Sequence, residues 1–328
     1  MNAHQPLSDT SEMPAVFIGH GSPMNTLEHN QYTKAWADFG TANPSPKAIL
    51  AISAHWYVPG TAVTAMTKPR TIHDFGGFPD ELFAVQYPAP GQPDLAARIS
   101  DLVKPTRTAL DTNWGLDHGT WSVLMHMYPS ADVPVVQLSI DSRAPLSEHM
   151  NLGAALAPLR KEGILIVASG NVVHNLRLIQ WNKPETGLDW ATEFDDETHH
   201  VMTTQPDQAP RLASHRHYKI SAPTPEHFLP LLYIAGLANE SKTAPEILVR
   251  GHTMGSLSMT SYVVPAPQAI VGPAVGGSRW CHSMPCPETT WLVRSLTGRS
   301  DLTRSCSPPS KRPRCATKCE PQLSASPG

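Results

Sequence analysis

Short, nearly continuous apolar runs recur along the chain as far as residue 264. Such runs are typical of β-strands that are covered on both faces of a sheet. They lie at 15–18, 48–53, 133–140 and 164–168, and an alternating run at 255–263 predicts a last strand. Helical spacing between the runs predicts helices at 33–39, 93–103, 122–127, 146–159 and 194–202, and a helix that begins at Pro225 with Thr224 as its N-cap.

Strands and helices therefore alternate through most of the chain. This order favours an α/β fold, a single domain with a central, mainly parallel or mixed sheet flanked by helices. We place this domain at residues 13–264. Residues 1–12 are polar and predict a flexible N-terminus. Residues 265–328 are rich in Pro, Ser, Arg and Cys, a low-complexity composition that predicts a disordered tail.

Three of the predicted strands run into a histidine. His20 follows the first strand, His55 the second, and His174 the strand at 164–168. One histidine at a strand end is most simply a turn residue. Because the carboxyl ends of parallel strands share one sheet edge, three of them predict a metal site, for which neutral imidazole is the commonest ligand. His118 and His227 occupy loop or helix-start positions that can reach the same edge.

The residues around His20 and His73 give further indications of function. Gly19 and Gly21 flank His20, so the backbone can turn sharply there and another group can approach closely. His73 lies in a long loop rich in aromatic residues, glycine and proline, of the kind that forms lids and binding loops. With Asp74 beside it, His73 is predicted to contact substrate.

Composition narrows the function. A net charge of -3 at pH 7 gives no support for a nucleic-acid or anionic-membrane partner. No apolar run is long enough to cross a membrane and no leader is evident, so a cytoplasmic location is the default expectation. No glycine-rich nucleotide-binding motif and no G-x-S-x-G nucleophile motif occurs. All five cysteines lie in the tail, where their spacing matches no common zinc site.

Several longer motifs contain the histidines. They are Gly19-His20-Gly21-Ser22-Pro23, Ser53-Ala54-His55-Trp56, Ile72-His73-Asp74-Phe75-Gly76-Gly77-Phe78-Pro79, Asp117-His118-Gly119, Ser169-Gly170-Asn171-Val172-Val173-His174-Asn175, Thr224-Pro225-Glu226-His227 and Gly255-Ser256-Leu257-Ser258-Met259. Together they closely resemble the 4,5-DOPA extradiol dioxygenase family, the bacterial and plant branch of the class III, LigB-type ring-cleaving dioxygenases. The resemblance covers roughly residues 13–264, and several of its motifs are five residues or longer.

The resemblance implies an enzyme that inserts both atoms of O2 into a catechol ring next to its hydroxyls, converting L-DOPA to seco-DOPA. It implies His20, His55, His174 and His227 as ligands of one divalent metal ion, with His118 beside them as the acid-base residue. His174 is the alternative base if it stands off the metal. Fe(II) is expected for turnover, and Zn(II) also suits an all-histidine site. The expected partners are a small-molecule catechol and O2, with no nucleic acid and no membrane.

Two alternatives remain at this point. A zinc-dependent hydrolase needs a carboxylate general base, for which Glu226 is the only nearby candidate in the sequence. A non-catalytic metal-binding scaffold of the same fold could lose ligands at no cost. All five candidate histidines are present, which favours an enzyme.

Overall fold

The structure is a computed structural model, and it describes residues 12–44 and 46–267. Within them the chain forms ten strands and nine α-helices. The strands are β1 (Ala15–Gly19), β2 (Ala48–Val58), β3 (Thr61–Thr64), β4 (Thr108–Asp111), β5 (Val135–Asp141), β6 (Ile164–Gly170), β7 (Glu246–Val249), β8 (His252–Thr253), β9 (Leu257–Ser258) and β10 (Ser261–Val264). The helices are α1 (Gln31–Ala42), α2 (Asp80–Phe83), α3 (Pro93–Leu102), α4 (His118–Met127), α5 (Leu146–Ala155), α6 (Pro158–Lys161), α7 (Asp189–Thr204), α8 (Tyr218–Ser221) and α9 (Leu229–Ser241).

Eight of these strands form one mixed sheet in the order β4-β3-β5-β2-β6-β1-β10-β7. Its centre, β5-β2-β6-β1, is parallel, and β10 and β7 add antiparallel strands at one side. The carboxyl ends of the four central strands therefore share one edge, as the apolar runs predict. β8 and β9 form a separate antiparallel pair.

Both faces of the sheet are covered, which explains why most residues of the central strands are apolar. Along β2, Leu50 packs into the core that α5 and α9 complete. Ile49 and Ala51 point the other way, into a core that includes Trp36 of α1 and Trp121 of α4. The predicted α/β class is confirmed, with the sheet mixed rather than wholly parallel.

Two helix predictions are wrong, each because of a proline. The helix predicted at 146–159 is two helices, since Pro158 occupies the first turn of α6. The helix predicted from Pro225 begins at Leu229, and Thr224 does not cap it. Pro230 explains this start, because in a helix interior it would lose a hydrogen bond and clash with the carbonyl of Glu226.

The predicted strands differ from the observed ones mainly in where they begin and end. β2 runs past the predicted end at Ser53 to Val58 and so includes His55. The strand predicted at 255–263 is instead β9 and β10, separated by two residues. The short strands β3, β4, β7 and β8 were not predicted.

The two ends of the described chain are held together by Arg160, whose side chain is fully buried. It pairs with Glu12 at 3.3 Å and donates to the carbonyls of Met13 and Pro265, both at 2.7 Å. The predictions made for residues 1–11 and for the tail from 268 lie outside the described residues. No helix in the part that is described is long and apolar enough to cross a membrane.

Candidate metal centre

His20 follows β1 directly, and its backbone N–H continues the β1–β6 ladder by donating to Gly170 at 3.0 Å. Gly21 has φ of +61°, the left-handed region that glycine tolerates. The space beside both glycines is filled by Met259, whose carbonyl carbon would lie 2.7 Å from a Cβ at Gly19 and whose Sδ would lie 2.4 Å from one at Gly21. A close approach at these glycines was predicted correctly, but the approaching group is the protein's own chain.

His55 projects from an irregularity in β2. The register against β5 shifts between Ile52 and Tyr57, a local bulge of the kind that re-aims a side chain. The ring passes close to Gly119, where a Cβ would lie 2.8 Å from Cδ2 of His55. A larger residue at position 119 would therefore push His55 out of place.

His118 is the first residue of α4 and directly follows Asp117, the N-cap residue of the helix. Asp117 caps the helix by accepting from the N–H of Thr120 at 3.2 Å, and Gln137 donates to its other oxygen. The cap fixes where α4 starts and hence where His118 points. Burial leaves the His118 side chain only 6 % exposed.

His227 and His174 complete the group from outside the parallel strands. His227 lies in the turn before α9, and its carbonyl accepts from the N–H of Asn171 at 2.8 Å, which ties the turn to the end of β6. The rings of His174 and His227 stack in parallel with centroids 3.5 Å apart. All five histidines predicted at the sheet edge thus lie in one cluster.

The central rings stand at the spacing of a shared ligand site. Centroids of His20, His55 and His227 are 5.1, 5.3 and 5.0 Å apart, nearly an equilateral triangle. Three imidazoles whose nitrogens lie about 2 Å from one ion have centroids about 5 Å apart. Suitable nitrogen atoms of His20, His55 and His118 also lie within 4.8 Å of one another.

In each of these rings, the hydrogen bond made by Nδ1, the outer nitrogen that points away from the other rings, determines that the lone pair lies on Nε2. Ser169 donates its hydroxyl to the carbonyl of Gly119 at 2.5 Å, so it accepts from Nδ1 of His20 at 2.9 Å. The carboxylate of Asp74 accepts from Nδ1 of His55 at 3.1 Å and from Nδ1 of His118 at 2.9 Å.

His227 follows the same pattern, because the Glu226 carboxylate accepts from its Nδ1 at 3.2 Å. The lone pairs are therefore on Nε2 in His20, His55, His118 and His227. Nε2 of His20 and of His55 face each other at 3.2 Å, and Nε2 of His227 is buried without a hydrogen-bond partner. Two lone pairs that face each other and a third without a partner fit a cation between the rings. Metal-binding histidines commonly donate their other ring N–H to a carboxylate or another acceptor, as these rings do.

Burial keeps most of these rings neutral, as ligands must be. Desolvation lowers the pKa of His20 and of His227 well below the usual value, and the neighbouring imidazoles lower it further. Burial likewise lowers the pKa of His174 to about 4, and that of His118 against the opposing effect of Asp74.

The hydrogen bond between His55 and Asp74 shifts the pKa of both groups. Burial lowers the pKa of His55, but the hydrogen bond to Asp74 and the charge of Asp117 outweigh it, so that the pKa is raised. For Asp74, the hydrogen bonds from His118 and His55 outweigh burial and hold its pKa well below the usual range. Asp74 is thus an anion that links two rings of the site.

A cavity of about 1440 Å³ opens beside the cluster and is lined by all five of its histidines. Phe75 and Phe78 of the long loop line it from one side, and Leu257 and Met259 from another. These apolar side chains suit the faces of an aromatic ring, and the volume exceeds that of one catechol.

His73 lies outside this lining. Its Nε2 donates to the carbonyl of Val85 at 2.9 Å, and its ring contacts Phe75 and Trp121. The residue therefore braces the loop that bears Asp74. Its predicted contact with substrate stays a prediction.

Asp74 and Ser169 are the site residues that sequence reasoning missed. Asp74 was considered only as a neighbour of His73, and Ser169 only as a turn residue. Glu226 is also not the only nearby carboxylate, since Asp74 contacts two rings of the cluster. The sequence signal that could have identified Asp74 is its position in a loop predicted to lie next to the histidine-rich edge of the sheet.

Comparison with protein families brings a match over residues 13–265, to the catalytic LigB subunit of aromatic ring-opening dioxygenases. This range includes the whole sheet and all five histidines. The chain belongs to the LigB family.

Similar proteins include named dioxygenases, in agreement with the family match. It is 50 % identical over 260 residues to "4,5-DOPA dioxygenase extradiol" of Escherichia coli K12, covering 78 % of this chain and 96 % of the relative. A protein of the same name from Beta vulgaris is 37 % identical, covering 78 % and 97 %. A crystal structure of an uncharacterized protein from Escherichia coli K12 matches with a TM-score of 0.68 at 46 % identity, covering 77 % of this chain and 99 % of that one.

Proposed function

We propose that this LigB-family enzyme cleaves a catechol ring beside its two hydroxyls with O2, and that L-DOPA is its substrate, with seco-DOPA as the product. The main observation is the convergence of Nε2 lone pairs from His20, His55 and His227, one of them buried and unpartnered. A divalent cation between the rings would accept these lone pairs. The names of the Escherichia coli and Beta vulgaris relatives support the choice of substrate.

We assign the ligand set to His20, His55, His174 and His227. The first two have their outer nitrogens fixed by Ser169 and Asp74, which orients each lone pair inward. His174 stacks on His227 and lines the same cavity. A divalent ion bound there, Fe(II) for turnover, supplies Lewis acidity and one-electron chemistry with O2.

His118 is the proposed acid-base residue. Its Nδ1–H is held by Asp74, its Nε2 is free, and burial lowers its pKa, so the ring is neutral and can accept a proton from a catechol hydroxyl. The imidazolium that results is stabilised by the Asp74 carboxylate. It can then return the proton to the opening ring.

The surrounding side chains hold the substrate ring. Phe75 meets His118 edge to face with centroids 5.4 Å apart and shields that side from water. Leu257 and Met259 provide an apolar wall of the same cavity. A planar catechol between them presents both hydroxyls to the histidines.

Oxygen uptake tests the proposal. The protein is loaded anaerobically with Fe(II), L-DOPA is added, and O2 consumption and the yellow ring-opened product are followed after air is admitted. We expect one O2 consumed for each L-DOPA, with His20→Ala and His55→Ala losing both bound metal and uptake. Iron-loaded protein that consumes no O2 with L-DOPA or with any simple catechol contradicts the proposal.

A further inference from the structure

The wall of the cavity is unevenly charged. Among the described residues that line it, Arg177 is the one permanent cation, whereas Glu28, Glu185, Asp74 and Glu226 are carboxylates. Asp74 and Glu226 are already held by the histidines. A carboxylate on a substrate is therefore attracted at Arg177 and repelled along the rest of the wall.

Arg177 is presented by a segment that is firmly fixed at its start. The buried Asn175 accepts from the N–H of Arg177 at 3.1 Å and donates through Nδ2 to the carbonyl of Ile220 at 2.7 Å. Ser256 accepts from the backbone N–H of Asn175 at 3.1 Å and donates to its carbonyl at 2.8 Å. These bonds hold the 3₁₀ helix Leu176–Leu178, while the Arg177 side chain itself is exposed.

The distance from the histidine cluster is short. His174 stacks on His227 in the cluster, and Arg177 follows it by three residues, a span of at most about 11 Å even in extended chain. In a catechol amino acid the carboxylate stands three carbons from the ring. A ring held at the histidines therefore leaves its carboxylate within reach of the guanidinium.

We propose that Arg177 binds the carboxylate of the substrate and makes the enzyme select catechols that bear one. This specificity role rests on the proposed catechol function. The guanidinium fork matches a carboxylate bidentately. Because Arg177 is exposed, solvent screens the pair, and we expect a preference of about fivefold at most, which weakens with salt.

Anaerobic titration of the metal-loaded protein by calorimetry tests this. The four probes are L-DOPA, 3,4-dihydroxyphenylpropionate, dopamine and 4-methylcatechol, of which only the first two carry a carboxylate. Arg177→Gln should weaken binding of those two by about fivefold and leave binding of the other two unchanged within about 1.5-fold. Arg177→Lys should keep part of the preference, and the exposed Arg107, outside the cavity lining, provides the control Arg107→Gln, which should change none.

The outcomes separate the two proposals. Equal weakening of all four probes by Arg177→Gln, or no weakening of any, overturns the role of Arg177 while a bound 4-methylcatechol leaves the catechol site standing. A wild-type protein that binds none of the four overturns the proposed function and this inference with it.

Discussion

Asp74 offers the sharpest perturbation of the metal centre. Its carboxylate accepts three hydrogen bonds, from Nδ1 of His55, Nδ1 of His118 and the backbone N–H of His118. Asp74→Asn keeps the shape but replaces one oxygen by an NH2 group, which cannot accept. If the remaining oxygen serves His118, the amide hydrogens face the Nδ1–H of His55 at 3.1 Å.

His55 must then move its proton to Nε2 or rotate. Either change removes the lone pair that faces Nε2 of His20. Loss of such outer-sphere partners weakens metal binding by about 10- to 100-fold, or roughly 1.4 to 2.7 kcal/mol. We expect this loss for Asp74→Asn, together with a larger loss of turnover because His118 shares the same carboxylate.

Competition with a chromophoric chelator measures the affinity for Fe(II) and for Zn(II). Asp38→Asn is the matched control, since Asp38 is 64 % exposed and pairs with Lys34 on the surface of α1. It should bind metal like the wild type. An Asp74→Asn protein that is folded and whose metal affinity stays within twofold of the wild type refutes the reasoning.

Three further predictions concern chemistry and stability. His118→Ala should retain metal, measured by atomic absorption, but lose about 10²- to 10⁴-fold in turnover; loss of the metal would instead make it a ligand. Burial lowers the pKa of His149 to about 4, below that of the unfolded chain, so its contribution to stability is lost as pH falls from about 6.5 to 4. That loss, about 3 kcal/mol, should disappear from urea titrations of His149→Leu, and an unchanged pH dependence would contradict it. A Cβ at Gly153 would lie 2.1 Å from the carbonyl of Tyr233, so Gly153→Ala should destabilise by about 3 kcal/mol, against none for Gly76→Ala, where nothing lies within 4 Å.

The centre of the fold was predictable because its signals are local. β1 and β6 are buried at every position, and their residues are apolar as far as Ile18 and Ala168. Of the unpredicted strands, β3, β4 and β7 have four residues each and β8 has two, and β7 lies at an edge of the sheet. Strands this short carry no distinct periodicity.

The histidines of the site were also predictable, since parallel strands bring their ends to one edge whatever the loops do. The positions of His118 and His227 depended on where α4 and α9 begin. The first is set by the Asp117 cap and the second by Pro230, both of them local features. A helix start at Leu229 could thus have been read from the sequence.

The outer partners of the rings could not be predicted in the same way. Asp74 meets His118 across 44 residues of chain, and Ser169 meets His20 across 149. No regular spacing in the sequence predicts either pairing, because each depends on where the fold places a loop or a neighbouring strand. Such contacts emerge only from the packed fold.

Isotope labelling tests the dioxygenase assignment most directly. Iron-loaded protein is given L-DOPA under ¹⁸O2 in unlabelled water, the aldehyde of the product is reduced at once to prevent exchange, and the product is analysed by mass spectrometry. The account predicts a ring-opened product with two labelled oxygens. A product whose new oxygen comes from water, as in hydrolysis, or an oxidised product with its ring intact, would contradict it.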